Sequence, residues 1–161
     1  MIHVGILTIS DRCYRGERDD ESGPQIAALL PADEYDLFLR VLVPDDEGEI
    51  AEQLLAMCEA GCDVVLTTGG TGFAPRDVTP EATVSILDRN APGLAELLRA
   101  DGLRRGVPTA ALSRGIAGIH GRTLIINLPG APLGARDGVE TLLPLLPHAV
   151  ALLRGQSGGH A

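Results

Sequence analysis

The sequence predicts an α/β fold built on a mainly parallel sheet that helices cover on both faces. Strand-like and helix-like patterns alternate along the chain, as they do in such folds. The strand-like runs, Val64-Val65-Leu66 among them, are apolar without interruption, which suits strands buried on both faces. The polar clusters fall just after these runs. With 161 residues and 45% hydrophobic content, the chain fits a single domain over 1–155 followed by a short tail at 156–161.

Residues 2–9 are apolar and β-branched and form the first strand. Ser22-Gly23-Pro24 opens a helix to about Leu30, with Ser22 as N-cap and Pro24 in the first turn. Residues 35–43 form a second strand, stopped by Pro44. Ile50, Leu54, Leu55 and Cys58 recur at helical spacing, and Gly61 ends that helix. Residues 63–68 are the third strand. Thr79 is expected to cap the next helix, with Pro80 at its first position and Val84, Ile86 and Leu87 as apolar surface. Pro92-Gly93 opens a short helix through Leu103. Residues 109–119, rich in Gly, Ala and Ser, read as a strand plus a loop. Thr123–Asn127 is a buried strand stopped by Leu128-Pro129-Gly130. A last helical region spans about Arg136 to Leu153, interrupted near Pro144 and Pro147, and 156–161 reads as a frayed end.

Bulk properties narrow the function. A formal charge of −9 argues against nucleic acid or an anionic membrane as partner, since both need basic surface. Aromatics are scarce (Tyr14, Tyr35, Phe38, Phe73) and Trp is absent, so stacking of bases on aromatic platforms is not expected. Met1–Leu7 reads as a strand rather than a leader, and no segment reaches the ~20 apolar residues of a membrane span; a cytoplasmic location is expected. Cys13, Cys58 and Cys62 are odd in number and match no metal spacing, which fits reduced, buried thiols.

Four polar clusters end strands: Ser10-Asp11, Asp45-Asp46, the loop 67–81 (Thr-Thr-Gly-Gly-Thr-Gly-Phe-Ala-Pro-Arg-Asp-Val-Thr-Pro-Glu), and Asn127 with Pro129-Gly130. Ligands of parallel sheets bind outside the carboxyl ends of the strands, so the four converge on one site. The strand–glycine-turn–helix arrangement is a phosphate cradle, in which the N–H groups of Gly69, Gly70 and Gly72 are expected to hold a phosphate. Asp45-Asp46, taken alone, suits a helix cap. Together with Asp77, Asp45 suits a hydrated Mg²⁺ bridging phosphate oxygens, or acid–base work by the pair. The acidic charge favours the metal. Arg76 is placed either on a phosphate or in solvent. The loop lacks Gly-Lys-Ser/Thr, so it is not a Walker A site, and G-x-G-x-x-G spacing is also missing. His3, His120, His148 and His160 are scattered and form no catalytic set.

The loop 67–81, Leu112-Ser113-Arg114 followed by Ala117-Gly118-Ile119, and Leu124–Gly130 resemble the signature segments of the MogA/MoaB family of molybdenum cofactor biosynthesis. Leu7-Thr8-Ile9-Ser10-Asp11 and Val43-Pro44-Asp45 match as well, and the resemblance covers about residues 3–154. It implies a three-layer α/β/α sandwich and molybdopterin adenylyltransferase activity: ATP and molybdopterin give adenylylated molybdopterin and pyrophosphate. A MoaB-type pterin- or nucleotide-binding role without transfer, and an unrelated phosphotransferase, are the alternatives. By the resemblance, Asp45 and Asp77 are catalytic and hold Mg²⁺. Thr8, Ser10 and Asn127 lie with molybdopterin, the glycine loop (Gly69, Gly70, Thr71, Gly72) lies with the phosphates, and Ser113 is a further binding position. Asp11, Pro129 and Gly130 complete the expected substrate-binding set. A homotrimer is implied, with a hexamer as the other known assembly. Whether the enzyme works alone or with a molybdate-inserting partner stays open.

Overall fold

The computed structural model describes residues 1–156; past Gln156, the tail expected at 156–161 lies outside the described residues. One sheet contains β1 (Ile2–Ile9), β2 (Tyr35–Val43), β3 (Val64–Thr68), β4 (Arg89–Asn90), β5 (Ala117–His120) and β6 (Thr123–Leu128), in the spatial order β2-β1-β3-β6-β5-β4. β2, β1, β3 and β6 pair in parallel, while β5 joins β6, and β4 joins β5, antiparallel. The helices are α1 (Asp11–Tyr14), α2 (Ser22–Leu29), α3 (Glu47–Ala60), α4 (Thr79–Ile86), α5 (Pro92–Arg104), α6 (Pro132–Leu142) and α7 (Leu146–Leu153).

The period-2 geometry of a strand sends alternate residues to opposite faces, and here both faces are apolar. Val4, Ile6, Val64, Leu66, Leu124 and Ile126 pack against α2, α6 and α7 through Ile26, Val139, Leu142 and Leu146. Leu7, Val65 and Ile125 face the other way, onto Ile50, Leu54 and Met57 of α3 and Ala82 of α4. Burying each such Ile or Leu is worth about 1.5–3 kcal/mol, so the continuous apolar runs require a helical layer on each side. The result is the three-layer α/β/α sandwich that the sequence predicts.

Several local expectations need correction. Ser22 does not cap α2: the cap residue is Glu21, which makes no side-chain cap bond, and the Gly23 N–H is taken by the Asp20 carboxylate at 3.0 Å. The Ser22 hydroxyl instead donates to the Gly130 carbonyl at 2.8 Å. Thr79 is the first residue of α4 rather than its cap, because its buried hydroxyl donates to the Gly69 carbonyl at 2.9 Å. Within 109–119 there is a 3₁₀ turn (Pro108–Leu112) before β5. The last helical region starts earlier, at Pro132, and is two helices. The short α1 and the two-residue β4 carry too little pattern to read from sequence.

Candidate active site

Strand ends β1, β2, β3 and β6 meet at one edge of the sheet, and the glycine loop crosses it. Gly69 turns the chain out of β3 with φ +103, and a Cβ there would collide with the Ile9 carbonyl oxygen. Its N–H donates to the Leu128 carbonyl at 3.3 Å, so Gly69 serves the turn, and the expectation that this N–H holds phosphate is corrected. The N–H groups of Gly70, Thr71 and Gly72 have no hydrogen-bond partner among the described residues. Three consecutive free donors on a loop form the kind of concavity that binds an anion.

The two candidate catalytic carboxylates flank this loop. A Cβ on Gly70, which has φ +68, would lie 3.1 Å from Asp45 Oδ1 and would collide with Thr79 Oγ1. A Cβ on Gly72 would lie 2.8 Å from Asp77 Oδ2. Asp77 is held by the Ala74 N–H, which donates to its Oδ2 at 3.0 Å. Asp45 and Asp11 clasp each other's backbone: Asp11 N–H donates to Asp45 Oδ2 at 2.9 Å, and Asp45 N–H to Asp11 Oδ1 at 3.0 Å. Asp46, by contrast, is a true N-cap of α3, accepting from the Glu49 N–H at 2.9 Å. Of the adjacent pair, Asp46 caps the helix and Asp45 faces β1 and the glycine loop.

Charge is unevenly balanced. The Arg76 guanidinium bonds Asp11 and also donates to the Asp45 carbonyl at 3.0 Å. The Arg76 bond to Asp11, against the cost of burial, holds the Asp11 carboxyl below the usual carboxylate range. Asp45 goes the other way. Burial raises its pKa, and the nearby charges of Asp11 and Asp77 add to the rise. Its Oδ1 accepts no hydrogen bond among the described residues. Among those residues no group of three or more His, Cys, Asp or Glu side chains could form a protein cage for a metal. The donor set nonetheless fits Mg²⁺, which takes one or two carboxylates and completes its shell with water and phosphate oxygens.

On the other side of the loop opens a cleft of about 510 Å³, lined by Gly70–Gly72, Asp77, Ser113, Asn127, Pro129 and Gly130 together with residues of α5 and α6. The predicted residues therefore separate into three groups. Gly70, Thr71, Gly72, Asp77, Ser113, Asn127, Pro129 and Gly130 line the cleft; Asp11 and Asp45 stand beyond the loop; Thr8 and Ser10 do not line the cleft. The Thr8 hydroxyl donates to Asp20 at 2.8 Å, and Ser10 caps α1 by accepting from the Cys13 N–H at 3.2 Å. Asn127 is buried, and its amide is fully engaged. Its Nδ2 donates to the Thr67 and Thr83 hydroxyls at 3.0 and 3.1 Å, and its Oδ1 accepts from the Ile116 N–H at 3.1 Å. The side chains of Thr8, Ser10 and Asn127 are thus engaged within the protein, and of the three Asn127 lines the cleft.

Two arginines have roles that the sequence does not assign. Arg114 staples the glycine loop: its Nε donates to the Gly72 carbonyl at 2.8 Å and Nη2 to the Asp77 carbonyl at 2.7 Å, while Nη1 pairs with Glu81. Arg99, on α5, lines the cleft and donates from Nη1 to the Ser113 and Gly115 carbonyls at 3.3 and 2.8 Å. A signal for Arg99 does exist in the sequence: with Ala95, Leu98 and Gly102 it falls at helical spacing on the non-polar stripe of α5, where a cation is out of place.

A family model described as a probable molybdopterin binding domain matches residues 5–148. The chain belongs to that family. The molybdopterin adenylyltransferase of Helicobacter pylori is 45% identical over 159 residues, 96% of this chain and 89% of that protein. The molybdopterin adenylyltransferase of Escherichia coli K12 is 40% identical over 143 residues, covering 86% and 72% of the two chains. Among solved structures, the molybdopterin biosynthesis enzyme MoaB from Thermus thermophilus superposes with a TM-score of 0.90 at 53% identity, over 96% of this chain and 98% of that one. The molybdopterin-binding family thus extends over the same strand-end edge that carries the glycine loop and cleft.

Proposed function

We propose that this protein is a molybdopterin adenylyltransferase, joining ATP and molybdopterin to give adenylylated molybdopterin and pyrophosphate. The observation that carries the reading is the loop of three free N–H groups flanked by Asp45 and Asp77. It offers anion donors and metal-binding carboxylates side by side, which is what the union of two phosphate-bearing substrates requires. Adenylyl transfer is helped by positioning and charge neutralisation more than by covalent chemistry.

The phosphate of molybdopterin attacks the α-phosphorus of ATP; the bond to the bridging oxygen breaks, and pyrophosphate leaves. A phosphate is already ionised at neutral pH, so its attack requires no proton abstraction, and no histidine lines the cleft among the described residues. The N–H groups of Gly70, Thr71 and Gly72 hold a phosphate chain in line. Arg114 fixes the loop's shape from behind, and the Asp11–Asp45 clasp with Arg76 fixes the β1 and β2 ends against it. Asp45 and Asp77 would hold Mg²⁺, which when bound neutralises charge on phosphate oxygens. Ser113 and Thr71 supply cleft hydroxyls, and Asn127 positions the Gly115-Ile116 segment. The single unit over 1–155, a homotrimeric assembly and a cytoplasmic location belong to the same reading. Among the described residues no helix is long and apolar enough to cross a membrane.

The test is pyrophosphate release from ATP in the presence of molybdopterin and Mg²⁺, with the wild type beside Asp77→Asn. The wild type releases pyrophosphate only with molybdopterin present and forms the adenylylated product by mass spectrometry. Asp77→Asn keeps the fold and loses turnover; an unaffected rate would remove Asp77 from the reaction.

A further inference from the structure

The cleft has little uncommitted positive charge with which to hold two anions. Asp77, Asp101 and Asp137 line it, and Arg99 is the basic side chain among its described lining residues. The neighbouring arginines are committed elsewhere. Arg76 pairs with Asp11, Arg114 with Glu81, and Arg104 and Arg105 with Asp101. Arg99 differs from all of these. Among the described residues its bonds run from one nitrogen, Nη1, to two neutral carbonyls, those of Ser113 and Gly115. These bonds set the position of the guanidinium without cancelling its charge. Nε and Nη2 keep donors in hand, and an arginine fork matches the oxygens of a phosphate.

The placement is rigid and separate from the glycine loop. Arg99 sits on α5, a helix of 13 residues. Ala95 and Leu98 of the same helix face the same cleft. The first turn of α6 lines it too, through Leu133 and Gly134, whose N–H groups have no partner among the described residues. α6 also has no side-chain cap, so the positive end of its dipole is uncovered. The cleft thus carries anion-binding features on two sides, the loop Gly70–Gly72 and the α5–α6 side.

We infer that Arg99 is a substrate-binding residue, taking a phosphate group of one of the two substrates on the α5–α6 side while the glycine loop takes that of the other. This rests on the adenylyltransferase reading for the identity of the ligands. The binding itself can be tested without turnover. The shared chemistry is a phosphate group, either the phosphomonoester of molybdopterin or the polyphosphate of ATP, and the kinetic arms separate the two.

Arg99→Met and Arg99→Lys are compared with the full-length wild type. Calorimetric titration with inorganic pyrophosphate reads phosphate affinity directly. Loss of one charge-assisted contact is expected to weaken it about 10- to 100-fold in Arg99→Met, and less in Arg99→Lys. In the steady state, KM rises for one substrate alone, and that substrate is the one Arg99 holds. The dependence of KM on ionic strength flattens in Arg99→Met, which a merely structural loop staple would not produce. Circular dichroism and thermal melting identify a variant that has failed to fold, and Arg99→Lys then carries the test. Unchanged pyrophosphate affinity and unchanged KM for both substrates in a folded variant would overturn the inference. If the wild type binds pyrophosphate through Arg99 yet forms no adenylylated product, the adenylyltransferase reading fails while the binding role of Arg99 stands.

Discussion

Asp63 precedes β3 at the amino edge of the sheet, and Asp45 follows β2 at the carboxyl edge; the protein treats the two carboxylates in opposite ways. Asp63 Oδ2 accepts from the His3 N–H at 2.8 Å, and Arg154 bonds both of its oxygens at 3.1 and 2.7 Å. Burial pushes its pKa up, but the Arg154 and His3 bonds outweigh it, so the group stays below its ordinary value. Asp45 is raised by burial and by its acidic neighbours, with one oxygen left over beside Gly70. The amino edge also holds a cavity, of about 650 Å³, beside the cleft of about 510 Å³ at the carboxyl edge. Volume does not mark the candidate site here; unsatisfied charge and free backbone donors do. Strain carried at functional positions is the usual cost of preorganisation.

The contrast can be broken most sharply at the carboxylates. Asp77→Asn and Asp45→Asn are each expected to lower pyrophosphate release by about 10²- to 10³-fold, the scale for removing one charge-handling group. In metal-free buffer Asp45→Asn should also melt higher than wild type at pH 7. The sign follows from linkage: a carboxyl whose folded pKa is raised favours folding when protonated, so its contribution falls as pH rises through that value. The gain therefore shrinks on acidification toward the ordinary carboxylate range, about pH 4, and thermal melts across that interval check it. A lower Tm for Asp45→Asn at neutral pH would mean that Asp45 is as satisfied as Asp63.

Glycines sharpen the same comparison. Gly70 at the candidate site and Gly61 at the end of α3 both have positive φ, +68 and +100, but a Cβ on Gly61 meets nothing within 4 Å. Gly61→Ala should cost about 1 kcal/mol, the conformational part alone, and leave turnover intact. Gly70→Ala adds a collision with Thr79 and should cost about 1–3 kcal/mol, with a measurable loss of turnover because the loop must shift. Denaturant melts and the pyrophosphate assay separate the two effects.

Asp63→Asn is expected to leave turnover unchanged and to cost about 1–2 kcal/mol, allowing for solvent around the part-exposed Arg154. Because the folded pKa of Asp63 is lowered, this stability is present above the unfolded value and is lost as pH falls through the folded one. The variant and wild type should converge in Tm at low pH, as at Asp45, but with the variant approaching from below rather than from above.

Much of the candidate site was legible because its parts are local. The loop 67–81 and the Asn127–Gly130 turn each lie within one short stretch, directly after an apolar run whose burial identifies it as a strand. Asp45 was less clear than its neighbour Asp46, since both suit a cap by composition; only the Asp11 N–H, arriving from β1, separates them. Ser22 and Thr79 both read as caps, yet their hydroxyls bond to Gly130 and Gly69 carbonyls. Local preference for a cap is worth about 1 kcal/mol, and a partner across the fold can outweigh it.

Pattern and composition determined an α/β fold with a mainly parallel sheet covered on both faces and pointed to the strand ends as the candidate site, since hydrophobic periodicity and glycine turns act over a few residues. Tertiary contact decided the rest. It took Gly69's N–H for Leu128, committed Arg76 to Asp11, turned Asn127 inward, and left Arg99 in the cleft without a carboxylate partner among the described residues. Whether a polar group is free or spoken for depends on what lies opposite it in space. Arg76 meets Asp11 across 65 positions of sequence, and Asn127 meets Thr67 and Thr83 across 60 and 44. No local pattern spans such distances, because side-chain periodicity ends with the element that carries it.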